Sequence, residues 1–133
     1  TFPDLVFFGH SASFWSEIGG DLTVETKEGY PKGPVAEGGA VVRLLREYPQ
    51  LNGDISAGSG FNALARDPDF AWNFIDEFQD RLLLGLDHTD AELDFQHIEW
   101  LTQARDDGHI TAAALEKILW KNANRLIRLG LEE

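Results

Sequence analysis

Three short segments of this 133-residue chain end an apolar run in side chains that can move protons. "LVFFGHS" ends in His10 and Ser11, "LNGDISAGSG" carries Asp54, Ser56 and Ser59, and "RLLLGLDH" ends in Asp87 and His88. Imidazole is the side chain that titrates nearest neutral pH, and a carboxylate within reach of it can take or return a proton. A core strand has no use for either group at its tip, because burying an unpaired charge is costly. His10, Asp54 or Ser56, and Asp87 are therefore read as candidate site residues. Ser11, Trp15, Ser59 and His88 stand where side chains flanking them would touch a substrate.

These residues need elements to position them. Residues 5–9 read as a buried strand, a short apolar run between Pro3 and Gly9. Residues 11–33 hold Gly19-Gly20, Gly29, Pro31 and Gly33 and read as a long irregular loop. Val41, Leu44, Leu45 and Tyr48 fall at helical spacing, so a helix is expected over 35–48, with Pro49 just past its end. Residues 51–57 read as a second strand and 58–67 as a glycine-bearing loop. Asp67-Pro68 pairs an N-cap carboxylate with a first-turn proline and starts a helix whose apolar stripe is Phe70, Phe74, Ile75 and Phe78. A third strand is expected over 81–86. A helix over 90–105 follows, and His97 on its apolar side reads as a satisfied core or interface histidine. The last helix has Thr111 as N-cap, with Ile110 stapled onto Leu115. Strands alternating with helices predict an α/β fold with a parallel sheet. Ligands of such folds bind beyond the carboxyl ends of the strands. If the strands are neighbours, His10, Asp54 or Ser56, and Asp87 converge on one rim.

Composition narrows the partners. Apolar residues are 43% and charged residues 26%, enough for a packed core. Eleven Lys and Arg against 23 Asp and Glu give a net charge of −12, which repels phosphate backbones and anionic membrane surfaces. No nucleic acid and no membrane partner is expected. The absence of cysteine excludes disulfides, thiolate metal sites and thiol nucleophiles, and it fits a reducing, cytoplasmic setting. No apolar run nears the roughly 20 residues a bilayer requires. Gly58 and Gly60 are followed by no lysine, so a P-loop is unsupported. With no methionine and Thr at position 1, the chain reads as a piece of a longer protein.

Four segments together resemble one family. "DRLLLGLDH" is similar to the strand-eight signature of the amidohydrolase superfamily, and "ILWKNANRLIRLGL" to the closing helix of its metal-dependent hydrolase and decarboxylase branch. "LVFFGHS" resembles that branch's strand six and "YPQLNGDISAGSG" its strand seven. The resemblance spans essentially the whole chain. It implies a (β/α)8 TIM barrel of which this chain supplies the C-terminal part, the last three βα units and the closing helix. Such barrels take about 250 residues. The likeness further implies a divalent metal, zinc or else manganese, that activates water. Asp87 would touch the metal and shuttle the water's proton, and His10 would bind metal or orient water. The family's strand-one His-x-His pair and strand-five histidine have no counterpart here. His88 and Thr89 follow Asp87 where many relatives place proline.

The expected activity is metal-dependent hydrolysis, or decarboxylation, of a small-molecule carbonyl or carboxylate substrate. Asp87 and His10 are the catalytic and metal residues, and the isolated chain is expected to be inactive. The expected partner is the remaining N-terminal barrel half or a second copy. The competing expectations are a non-catalytic half-barrel that assembles with another chain, and a small α/β domain in its own right.

Overall fold

The computed structural model describes residues 5–27, 29–90 and 92–131. Pro3, expected to bound the first strand, and Ala91, inside the expected helix 90–105, lie outside the described residues. The expected alternation is present. Strand β1 (Phe7–Gly9) leads into α1 (Ala12–Trp15), which continues as a 3₁₀ turn over Ser16–Ile18. Helix α2 (Ala40–Glu47), strand β2 (Leu51–Asp54), helices α3 (Ala57–Ala65) and α4 (Pro68–Phe78), and strand β3 (Leu82–Leu83) follow. The chain ends in α5 (His97–Asp106), α6 (Ala112–Glu116), a π turn over Lys117–Lys121, and α7 (Asn122–Ile127).

The sheet is parallel in the order β1-β2-β3. Its register pairs Phe7 with Leu51 and Gly9 with Gly53, then Gly53 with Leu82 and Asp54 with Leu83. Trp15, Ile18, Val41, Leu45, Ile55, Leu64, Phe74, Ile75, Phe78, Leu82, Leu101 and Ile118 join in one core cluster between the sheet and its helices. Burial of so many large apolar side chains is the main term holding the fold.

Local signals explain the elements that matched. The Asp67 carboxylate accepts from the Phe70 amide ahead of Pro68, and Thr111 Oγ1 accepts from the Ala114 amide. Ile110 and Leu115 both join the core beside that cap. Arg46 grips Glu77 through two hydrogen bonds of 2.6 and 2.8 Å, fork to fork, tying α2 to α4. That contact holds the Glu77 carboxyl below its usual range.

Several expectations are corrected. Residues 58–65, expected as part of a loop, and Ala57, expected as the end of the second strand, form α3. Its first turn lies so close to β2 that a Cβ at Gly60 would sit 2.3 Å from the Ile55 carbonyl carbon, and glycine makes this approach possible. The long loop 11–33 contains α1 and the 3₁₀ turn. The helix expected over 90–105 begins only at His97, and the described residues 92–96 before it hold no regular element. The first strand is not buried: Leu5, Val6, Phe7 and Phe8 are 38–53% exposed, because β1 is the sheet's edge and no described element covers it. A continuous apolar run marks a buried strand only where both faces are covered.

The last helix is fastened to β3. Buried Asn122 donates to the carbonyls of Gln79 (2.7 Å) and Leu82 (2.8 Å), and Arg125 donates to Asp80 O (2.6 Å). The π turn leaves the Ile118 carbonyl free to accept from the Leu84 amide at 2.9 Å, which joins helix and strand directly. Asn122→Ala leaves two inward carbonyls without their donor and should cost about 2–3 kcal/mol. A clear drop in the urea midpoint at unchanged m value is the expected result.

Candidate functional site

Register places the first two side chains. Gly9 pairs with Gly53, so His10 and Asp54 follow in the same row at the carboxyl ends of β1 and β2. His10 Nδ1 lies 3.1 Å from Asp54 Oδ2 and 3.2 Å from Ser56 Oγ. Asp54 is itself held. Its Oδ1 accepts from the Ser56 amide at 3.0 Å, its Oδ2 accepts from the Ser56 hydroxyl at 2.9 Å, and its carbonyl accepts from the Trp15 indole N–H at 2.7 Å. On the other side of the imidazole, Nε2 lies 3.8 Å from Asp87 Oδ2. That is too long for a hydrogen bond. Gly85 gives this cluster its room, since a Cβ there would stand 2.8 Å from Asp54 Oδ1 and 3.0 Å from Ser56 Cβ.

Backbone strain collects at the same place. Ser11 (φ 79°), Ala57 (φ 54°) and Asp87 (φ 54°) each lie just past one of the three strands. Among the described residues the other non-glycine position with positive φ is Arg128, a helix C-cap, where such a conformation is routine. Strain of this kind costs about 1–3 kcal/mol per residue and gathers where a fold aims functional groups.

The remaining candidates separate. Ser11 stays at the rim, with its hydroxyl 3.1 Å from that of Ser13. His88 is exposed at the rim, where Nε2–H donates to Leu93 O at 3.1 Å and the ring meets Phe95 edge-on. It ties the chain just past β3 to Leu93 and Phe95. Trp15 differs from expectation: it is 1% exposed, packed in the core against Phe14 and Phe74, and reaches the site only through Asp54's main chain. Ser59 is buried in the first turn of α3. Asp54 and Ser56 prove to be the groups in contact with His10. Their signal in the sequence was polar residues at alternate positions in a strand that otherwise reads as apolar.

A cavity of about 470 Å³ adjoins Asp87, lined by Tyr30, Phe61, Asp87, Leu93, Phe95 and His97 among others. It is large enough for a one-ring ligand. A larger groove, about 660 Å³, runs along α2 and touches none of the site residues. His97 is buried, as expected, and its Nε2–H donates to the carbonyl of strained Ala57 at 3.0 Å, but the ring is only half satisfied, since buried Nδ1 has no hydrogen-bond partner among the described residues. Burial lowers its pKa, while the Ala57 and Ile55 carbonyls and the Asp54 charge oppose that shift less strongly.

His10 and Asp87 fit a divalent cation in part. Two metal–ligand bonds of about 2.0–2.2 Å that meet at an open angle span a chord of roughly 3–4 Å, which the Nε2 to Oδ2 gap matches. Among the described residues no three His, Asp or Glu side chains are grouped to hold a metal by themselves, so these two donors would need others beside them.

No family model matches the chain, and no curated protein and no solved structure matches it.

His97 yields a test. A histidine whose pKa is lowered on folding binds fewer protons folded than unfolded as pH falls below the unfolded value of about 6.5. Its contribution is complete above that pH and is lost as pH drops through the window below it. The stability advantage of wild type over His97→Gln should therefore shrink between pH 7.5 and 5.5 in urea titrations. Parallel curves would exclude this role.

Proposed function

We propose that this chain is the C-terminal part of a (β/α)8 barrel of the amidohydrolase type, in which His10 and Asp87 serve metal-dependent hydrolysis of a small carbonyl or carboxylate substrate. The observation that carries the reading is the pair His10 Nε2 and Asp87 Oδ2, 3.8 Å apart beyond the strand ends. Three parallel strands in sequential order, each with its side chains at the carboxyl end, support the barrel reading. The resemblance of the four sequence segments supports the family.

A divalent cation at this site, zinc or manganese, would supply a Lewis acid and lower the pKa of water. Asp87 Oδ2 takes the proton of the attacking water and returns it to the leaving group. His10 offers Nε2 to the cation or to the water and fixes its approach. The cavity beside Asp87 receives the apolar part of the substrate, between Tyr30, Phe61 and Phe95.

In the complete protein, Asp87→Asn should lower turnover by about a hundredfold or more while circular dichroism stays unchanged. Unchanged kinetics would remove Asp87 from the mechanism. The 133-residue chain alone should show no metal-dependent turnover.

A second reading, a non-catalytic half-barrel that assembles with another chain, is favoured by one observation. The edge strand exposes Phe7 and Phe8, and an open apolar edge invites pairing. Sedimentation velocity distinguishes it. Self-association abolished by Phe7→Lys would support assembly through β1, and a monomer at all concentrations would count against self-assembly.

A further inference from the structure

We propose that Asp54, assisted by Ser56, is a positioning residue that locks His10 in the Nδ1–H tautomer and so keeps the Nε2 lone pair turned toward Asp87. The inference deepens the proposed site and rests on that reading for its purpose, but not for its geometry.

Asp54 offers no proton of its own when ionised, so the group it faces must donate. Its Oδ2 lies 3.1 Å from His10 Nδ1, which makes Nδ1 the protonated nitrogen. Ser56 agrees. Its hydroxyl proton goes to Asp54 Oδ2 at 2.9 Å, so the oxygen presents a lone pair to Nδ1–H at 3.2 Å. In a neutral ring Nε2 then carries the free lone pair. That nitrogen is the one facing Asp87 Oδ2 at 3.8 Å. A histidine that binds a cation or receives a proton is commonly held this way, with its other ring nitrogen on a carboxylate. The carboxylate is held in turn. The Ser56 amide occupies Oδ1, and Gly85 leaves no side chain to push it aside.

This arrangement makes Asp54→Asn an informative substitution. The Ser56 amide is a donor and requires the amide oxygen of Asn at the Oδ1 position. The NH₂ group must then stand where Oδ2 stood, with a donor facing Nδ1. The imidazole accommodates this only by moving its proton to Nε2. Isosteric replacement should therefore invert the tautomer without disturbing the fold, and a wrong tautomer disables a catalytic histidine even where geometry is kept.

The test is nitrogen-15 spectroscopy of the histidine rings in the full chain at pH 8.5, where an ordinary imidazole is neutral. The His10 signals are assigned by their loss in His10→Gln. Wild type should show protonated Nδ1 and bare Nε2, and Asp54→Asn should show the reverse with an unchanged amide spectrum. Protonated Nε2 in wild type, in a neutral or a cationic ring, overturns the proposal without any variant. So does an Asp54→Asn protein that folds and keeps the wild-type tautomer. Zinc chloride added to the complete wild-type protein, which supplies the remaining donors, separates the two readings. A bare Nε2 that ignores zinc leaves the positioning role standing and removes the metal reading. A shift of that signal, weakened about 10–100-fold in apparent affinity in Asp54→Asn, supports both.

Discussion

The carboxylate of Asp54 is the contact on which the rest of the site depends. One oxygen closes a local turn onto the Ser56 amide, and the other takes the Ser56 hydroxyl and the His10 ring. The same residue's carbonyl anchors Trp15, the largest fully buried side chain of the core. Through this one position the edge strand, the central strand and the first helix are joined, and β3 takes part by presenting Gly85 where any side chain would collide. A carboxylate with both oxygens satisfied is fixed in direction, and a fixed carboxylate can in turn fix an imidazole. A flexible surface histidine would lose rotamer freedom to reach the same pose. Here that cost is met by groups already ordered in the fold.

Strained backbone marks the same rim for reasons that differ by position. Ser11 and Ala57 stand where a strand passes into a helix with almost no connecting residue, and so tight a turn forces positive φ. The strain at Ala57 is opposed by His97, whose ring reaches over from α5 to hold its carbonyl, and by the Leu86 carbonyl, which accepts its amide. Asp87 has no such excuse. Among the described residues no helix starts between it and His97, and its left-handed conformation, tolerated by aspartate better than by most residues, turns the chain so that the carboxylate comes back toward His10.

Much of this was legible in the sequence. The N-caps at Asp67 and Thr111 carry local chemistry that tertiary contacts do not override, so those helix starts were readable to the residue. The parallel α/β class followed from alternation, and the rim position of His10 and Asp87 followed from the class. What failed needed information beyond nearest neighbours. Residues 58–60, with two glycines, look like a loop by propensity, yet packing of α3 against Ile55 selects glycine because nothing larger fits. Trp15 beside a candidate histidine looks like a pocket wall, but α1 turns it inward. The exposure of β1 could not be read from an apolar run, since the run records what could cover a strand and not what does. Asp54 could be placed near His10 but not ranked above Asp87, because register decides which carboxylate sits on which ring nitrogen.

The two carboxylates around His10 are thereby unequal. Asp54 is one-quarter exposed, and its oxygens are committed to donors. Asp87 is nearly half exposed, and the distance to Nε2 exceeds a hydrogen bond. The rim then holds two negative charges within one ring's width, in a chain whose net charge is already −12. Like charges so close raise the free energy of both unless a cation or a proton intervenes. Asp54 is already stabilised by three donated hydrogen bonds, so the residual demand falls on the space between Asp87 and Nε2. In the proposed tautomer that space is bordered by the Asp87 carboxylate and the Nε2 lone pair, 3.8 Å apart.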